Sequence, residues 1–426
     1  MLAQEVMNFL EENDVKFVRL AFPDLFGRLK NIAIQPDLLE EAFEQGIPFE
    51  ASAVDGFTSP GDGSLLLRPD PDTLCILPWR PQAGRVCRLI CDVIRADGTP
   101  YENDTRGILR KAEAMAAERG FSIRMGAECE FYLFEADEQG RITKKPQDRG
   151  SYLDVAPLDR GEDVRREICL TLLSMNIRPE LSHHERGPGQ NEIDFHRADP
   201  VTGADHLVAF HNAVRTIATR YGLAASFMPK PLPGEYGNAF KVNFALFKDR
   251  INLFRMEDGQ LMPEAKAAMA GVLNRLPEMT LFLNPIPNSY DRLTDGEAPN
   301  RVCWSHQRKK NAVRVPLPQH RFARMQIASA DSLSNTYLAY ALLIFAALEG
   351  IDRGEELPPS VTSDWDAMPP LPESLSKAIE AAGNSEFIRR TLPESVVTAY
   401  LNNAHILVQK DQQDKTGLFE EQFGCF

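Results

Sequence analysis

The chain has 426 residues, a formal charge of −14 at neutral pH, and charged and apolar fractions of 25% and 43%, those of an ordinary globular protein. A length of this order allows two or three domains. So acidic a balance leaves no basic stripe to neutralise phosphates, which argues against a nucleic-acid or anionic-membrane surface and leaves small molecules as ligands.

The first twelve residues are acidic and amphipathic and carry neither the basic region nor the cleavage site of a secretory signal. Residues 15–35 alternate apolar and polar side chains around Asp24-Leu-Phe-Gly27, which predicts a β-hairpin. A helix over 36–45 and strands at 73–78 and 86–94 complete a small α+β unit. The polar segment Asp97–Thr105 reads as a boundary, with Asp104 or Thr105 capping a helix at 106–119, so the expected domains are 1–100 and 101–426. Beyond it the pattern predicts a strand at 124–134, a helix at 161–176, a hairpin at 178–196 and a helix at 203–221. Strands follow at 225–228, 239–247, 311–315 and 323–328. A helix at 333–350, a Pro-rich loop at 354–372 and helices at 373–382 and 393–410 close the chain. The apolar run Tyr337–Leu348 falls short of the roughly 20 residues that span a bilayer and reads as a buried helix. Seven scattered cysteines with no CxxC pair read as reduced thiols, which predicts a cytoplasmic protein.

The most informative stretch is Ser182–Phe195, where Glu185 and Glu192 flank a Gly-Pro-Gly turn between two strands. In Met125–Phe134, the two-residue period of a strand turns Glu128 and Glu130 to one face. Four carboxylates on core strands suggest a divalent-cation site. The neighbouring strands carry bases and amides: Lys241 and Asn243 share one face of 238–247, Arg324, Gln326 and Ala328 one face of 324–328, and Arg314 stands alone in 312–316. Such faces read either as the solvated side of a one-sided sheet or as the floor of a cavity for an anionic, metal-bound ligand; the division of acids and bases among different strands favours the cavity.

The order of these pieces resembles the glutamine synthetase family in its bacterial type I form. The resemblance is carried by Lys16-Phe-Val-Arg-Leu20, the Glu128/Glu130 pair, Gly189-Gln-Asn-Glu192, Phe227-Met-Pro-Lys-Pro231, Asn284–Leu293, Glu297-Ala-Pro299 and Asn335-Thr-Tyr-Leu338. It implies an N-terminal β-grasp domain and a glutamine synthetase/guanido kinase-like catalytic domain with a bent antiparallel sheet. It further implies self-association into hexameric rings and a dodecamer, with each active site completed by a neighbour's N-terminal domain. The implied reaction uses ATP and Mg²⁺ or Mn²⁺ to activate the γ-carboxylate of glutamate as an acyl phosphate, which ammonia or another amine then attacks.

By the same resemblance, Glu130, Glu185 and Glu192 are ligands of the metal nearest the amino acid, and Glu128 is a ligand of the nucleotide-side metal. Arg292 holds the substrate α-carboxylate, with Gly237 and Glu185 also at the substrate. Glu297 is the flap base, and Arg314 and Arg324 contact phosphate. Glu50, standing where the family has an aspartate, lies in the segment that lines a neighbouring subunit's amine site.

The chain departs from the pattern on the nucleotide side. Lys241 and Gln326 stand where the family has a histidine and a glutamate as metal ligands, Asn243 where it has a further histidine near the nucleotide, and Lys309 and Ala328 where it has arginines. Ala53 replaces a serine. A protonated lysine cannot ligate a cation, and glutamine offers a weak neutral oxygen. Three readings stay open: a ligase with an altered nucleotide mode, a catalytically silent paralogue acting as an amino-acid sensor or regulator, and ATP-independent chemistry on the same scaffold.

Overall fold

In the computed structural model, which describes residues 2–57, 64–256, 260–296, 298–317 and 323–425, Val15–Pro23 (β1) and Leu29–Ile34 (β2) form the expected hairpin, with Val18 opposite Ile34. The Asp24 carboxylate closes it by accepting the backbone N–H groups of Phe26 at 3.0 Å and Arg28 at 2.8 Å, an Asx-type turn. Ile47–Phe49 (β3), Leu65–Pro69 (β4), Cys75–Ile76 (β5) and Arg85–Ile94 (β6) complete a six-stranded sheet in the order β2-β1-β6-β4-β3, with β5 beside β6 and β1 parallel to β6. The strand expected at 73–78 shrinks to two residues because Pro71–Thr73 forms a 3₁₀ turn capped by Asp70.

Asp104 is the residue that caps the helix Thr105–Glu118, accepting the Arg106 N–H at 3.1 Å. A ten-stranded sheet follows, made of Phe121–Ala136 (β7), Ile142–Pro146 (β8), Pro179–His184 (β9), Gln190–Phe195 (β10), Leu223–Ser226 (β11), Phe240–Lys248 (β12), Ile251–Asn252 (β13), Arg301–Ser305 (β14), Asn311–Arg314 (β15) and Met325–Ile327 (β16). Its order is β14-β15-β16-β12-β7-β10-β9, with β8 and β11 joined to β7 and β13 to β12; all the pairings are antiparallel save β14 with β15. The sixteen residues of β7 change partner along their length: residues 121–129 face β12 and 132–135 face β11, as in a curled sheet.

The helices Pro200–Arg220, Pro263–Leu283 and Thr336–Arg353 are largely buried, and the first and last pack against Thr105–Glu118. Pro263–Leu283 has no counterpart in the sequence reading. It is apolar on most sides, so it shows no 3.6-residue period, and it carries Pro277 in its interior.

Buried polar contacts fasten the N-terminal sheet to these helices. The Arg106 guanidinium, 1% exposed, reaches Asp205 at 2.8 Å, Asp70 at 2.8 Å and Asp92 at 2.5 Å, and the Tyr337 hydroxyl donates to Asp205 at 2.7 Å. Asn335 and Tyr400 both donate to the Leu25 carbonyl in the β1–β2 turn. Replacing Arg106 by Met would leave Asp205 without a cation, while Asp70 and Asp92 keep Arg110, and is expected to lower unfolding stability by about 3–5 kcal/mol in urea titrations, the typical cost of breaking a buried ion pair. Replacing Arg119, which pairs with Asp352 at the surface, should cost no more than about 1 kcal/mol.

Candidate active site

Pairing register builds the site. Glu192 on β10 lies directly opposite Glu130 on β7, Asp194 opposite Glu128, and Glu128 opposite Lys241 on β12. Asn243 lies opposite Gln326 on β16, and Gln326 opposite Arg314 on β15. Period-two alternation therefore collects five strands' polar side chains on one face, while Phe240, Val242 and Phe244 are buried in the core. Glu185 follows β9 at the turn, and its backbone N–H donates to the Gln190 carbonyl at 2.8 Å.

Lys241 organises the group. Its ammonium stands 2.6 Å from Glu192 Oε2, 3.1 Å from Glu130 Oε1 and 3.6 Å from Glu128 Oε2. It donates to Glu192 and is ion-paired with the other two carboxylates, and these charges hold the amine protonated well above its ordinary range although burial pulls the other way. Burial pushes the Glu130 and Glu185 carboxyls up, as does the charge of neighbouring acids. Asp194 is pushed up to about 10 by burial and by Glu192 and Glu128, and is a neutral acid at neutral pH.

Glu128 is the hub of the second half. Its Oε1 accepts from Gln326 Nε2 at 2.6 Å and from Arg324 at 3.1 Å, and Arg308 lies 3.8 Å from Oε2. Arg324 Nε and Gln326 Nε2 also donate to Asn243 Oδ1, at 2.6 and 3.1 Å. The ammonium and the guanidiniums keep the Glu128 carboxyl below its usual range in spite of burial.

A cavity of about 490 Å³ opens over this face, with Glu130, Glu185, Gly237, Lys241, Arg292 and Gln326 in its wall. Arg314, Lys309 and Ala328 line it as well. Arg314 is half-buried, which lowers its guanidinium to about 10, helped by Arg308. Arg292, 4% exposed, donates to the backbone carbonyls of Ala328, Ser329 and Ala330 at 3.0–3.1 Å, so part of its fork is spent on bracing the loop after β16. Gly237 is the residue this wall permits: a Cβ there would lie 2.7 Å from the Pro229 carbonyl and 3.0 Å from Arg292 Cγ.

Of the residues singled out from sequence, Glu128, Glu192, Asn243 and Arg324 do not line this cavity but bond to the site through Lys241, Gln326 and Glu128, and Glu50 is not brought to it; Glu50 is exposed and accepts from Ser52 N at 3.1 Å. Glu297 lies outside the described residues, though its neighbours Ala298 and Pro299 line the cavity.

The sequence reading overlooked His183 and Asp194. His183 Nδ1 is 3.9 Å from Glu185 and its Nε2 3.9 Å from Glu192. Both residues stand two positions from an acid already singled out, so strand alternation pointed to them. The expected cation group also differs in detail. Among the described residues, His183, Glu185 and Glu192 hold ligand atoms within 4.8 Å of one another, and so do Glu128, Glu192 and Asp194, whereas the Glu130 carboxylate accepts from Ala239 N at 2.8 Å and pairs with Lys241.

Comparison with known proteins places this geometry. Residues 14–96 match the family model described as glutamine synthetase, beta-Grasp domain, and 102–416 that of the glutamine synthetase catalytic domain. The chain is 41% identical to a glutamine synthetase of Clostridium saccharobutylicum, over 93% of each chain, and 40% identical to one of Methanosarcina mazei, over 93% of this chain and 92% of the other. A solved structure titled GmaS/ADP complex, conformation 1, superposes with a TM-score of 0.87 at 27% identity over 96% of both chains; apo GmaS without ligand has the same TM-score and identity, covering 97% and 99%.

The chain belongs to the glutamine synthetase family. It is, with that family, an ATP-dependent carbon–nitrogen ligase.

The two acidic groups differ in the charge around them. Glu185, Glu192 and His183 leave oxygen and nitrogen ligands converging, with no cation among them but the Lys241 ammonium on the far oxygen of Glu192. Around Glu128 an ammonium, two guanidiniums and an amide already compensate the carboxylate. The double variant Lys241→His with Gln326→Glu is therefore expected to bind one Mn²⁺ more per chain than the wild type in calorimetric titration. Equal stoichiometry in the two proteins would contradict this account of the second half-site.

Proposed function

We propose that the protein joins the γ-carboxylate of glutamate, or of a related amino acid, to ammonia or another amine, using one divalent cation and the Lys241 ammonium where the family uses two cations. The observation that carries this is the amine of Lys241 between Glu128, Glu130 and Glu192. Relative to the family pattern, a lysine for a neutral histidine and a glutamine for a glutamate each add one positive charge, and an alanine for an arginine at position 328 removes one, a net gain of one. Both added groups stand against Glu128, where the family holds its second cation, which supports retained ligase chemistry over a silent binding protein.

In this reading Mg²⁺ or Mn²⁺ held by Glu185, Glu192 and His183, with Glu130 beside them, offsets the negative charge of carboxylate and phosphate when bound. A γ-carboxylate oxygen attacks the γ-phosphorus of ATP, the bond to ADP breaks, and an acyl phosphate forms. The amine nitrogen then attacks the acyl carbon, phosphate leaves with the C–O electron pair, and the surplus N–H proton passes to a base, for which Glu297 is our candidate. Arg314, Arg324 and Lys309 offer fixed cationic groups to the phosphates, beside Asn243, and Arg292 with Gly237 positions the amino acid. Residues 1–100 and 101–426 are proposed as the two domains. Glu50 of one chain would complete the amine site of the next in a hexameric ring and dodecamer, in the cytoplasm. No helix among the described residues is long and apolar enough to cross a membrane.

The assay is phosphate release from ATP with Mg²⁺ or Mn²⁺, glutamate and a panel of amines. Amine-dependent release is expected, and Lys241→Met should reduce kcat by about 10²-fold or more, the scale for removing one preorganised electrostatic group. Silence across the panel, with amino-acid binding intact, would favour a sensor; amide formation without ATP would favour the third reading.

A further inference from the structure

A second cavity, of about 510 Å³, opens at the seam between the N-terminal sheet and the helix Pro200–Arg220, and shares no lining residue with the first. Among the described residues, its wall holds four arginines, Arg19, Arg80, Arg88 and Arg220, together with the Trp79 indole, and no carboxylate. The crowding is written into the sheet: β1 and β6 run parallel with Arg19 directly beside Arg88. Like charges on neighbouring strands repel, so the arrangement is unfavourable by itself.

Arg88 makes the case. It is 7% exposed, and among the described residues its buried Nε has no hydrogen-bond partner and its guanidinium forms no ion pair. Arg19 donates to a neutral partner, Asn31 Oδ1 at 3.1 Å, and among the described residues neither Arg80 nor Arg220 pairs with a carboxylate. Asp205, on the helix that forms the opposite wall, is committed to Arg106 and Tyr337. A buried guanidinium with no counter-charge is strongly destabilising, and the planar fork of arginine matches carboxylate and phosphate oxygens in pairs.

We propose that this cavity is a binding site for a small oxyanion carrying two or more negative charges, a di- or tricarboxylate or a phosphate compound. Arg88 and Arg19 take one anionic group at the sheet, and Arg80 and Arg220 take another at the mouth, with Asn212 and Thr216 of the helix as further polar groups in the wall. A ligand held so spans the seam that the Arg106 network also closes, and it stabilises the docking of the N-terminal sheet on the helices.

The test is the thermal midpoint of the full-length protein, metal-free and at constant ionic strength, titrated with succinate, citrate, inorganic phosphate or pyrophosphate. At least one anion is expected to raise the midpoint saturably, the carboxylate and phosphate arms telling which oxyanion is preferred. Arg88→Met and Arg19→Met should each bind it about ten-fold or more weakly, the scale of a lost charge-assisted hydrogen bond. Without ligand, Arg88→Met should melt at or above the wild-type temperature, because it removes an unpaired charge. The proposal is overturned if no anion gives a saturable shift, or if the shift is unchanged in both variants, which would place binding in the ligase cavity. Arg88→Met melting well below wild type while Arg19→Met leaves the anion response intact would likewise overturn it.

Discussion

The polar face of the ten-stranded sheet depends on one constraint, that buried carboxylates set opposite one another by strand register require positive charge between them. Glu192 opposite Glu130 and Asp194 opposite Glu128 cannot all ionise in a low-dielectric wall. The protein answers in two ways. Lys241 places its ammonium among Glu128, Glu130 and Glu192, and Asp194 keeps its proton, held up near 10 by burial and its acidic neighbours. The side chain of Gln326 then approaches Glu128 as a donor, where an acid in the same place would have needed a cation between the two.

This arrangement separates the cavity into unlike halves. At Glu185 and His183 the ligand atoms face one another with spare acceptor capacity. At Glu128, the Lys241 ammonium, the Arg324 and Arg308 guanidiniums and the Gln326 amide are cations and donors fixed by covalent structure. Fixed donors need no loading from solution and do not dissociate, but they cannot move with a substrate as a bound ion can. A site of this kind trades adaptability for preorganisation, the property on which electrostatic stabilisation of a transition state rests.

Much of this was legible in the sequence because strands alternate strictly. The shared faces of Glu128 and Glu130, of Lys241 and Asn243, and of Arg324 and Gln326 follow from a period of two, and the structure pairs them as that period demands. The same rule would have found His183 and Asp194 had it been carried two residues past each acid. Other features had no local signal. The helix Pro263–Leu283 is apolar nearly all round, which erases the helical period. The bracing of Arg292 by three carbonyls of the loop after β16, and the meeting of Arg19 and Arg88 with the helix Pro200–Arg220, depend on packing between segments far apart in the chain.

The claim on which the account turns is that an ammonium occupies the place of a cation beside Glu128. Anomalous diffraction from wild-type crystals soaked in Mn²⁺ tests it most directly. One manganese peak per chain is expected, bounded by His183, Glu185 and Glu192, with Lys241 still within ion-pair distance of Glu128. A second peak against Glu128, with the Lys241 side chain swung away, would contradict it.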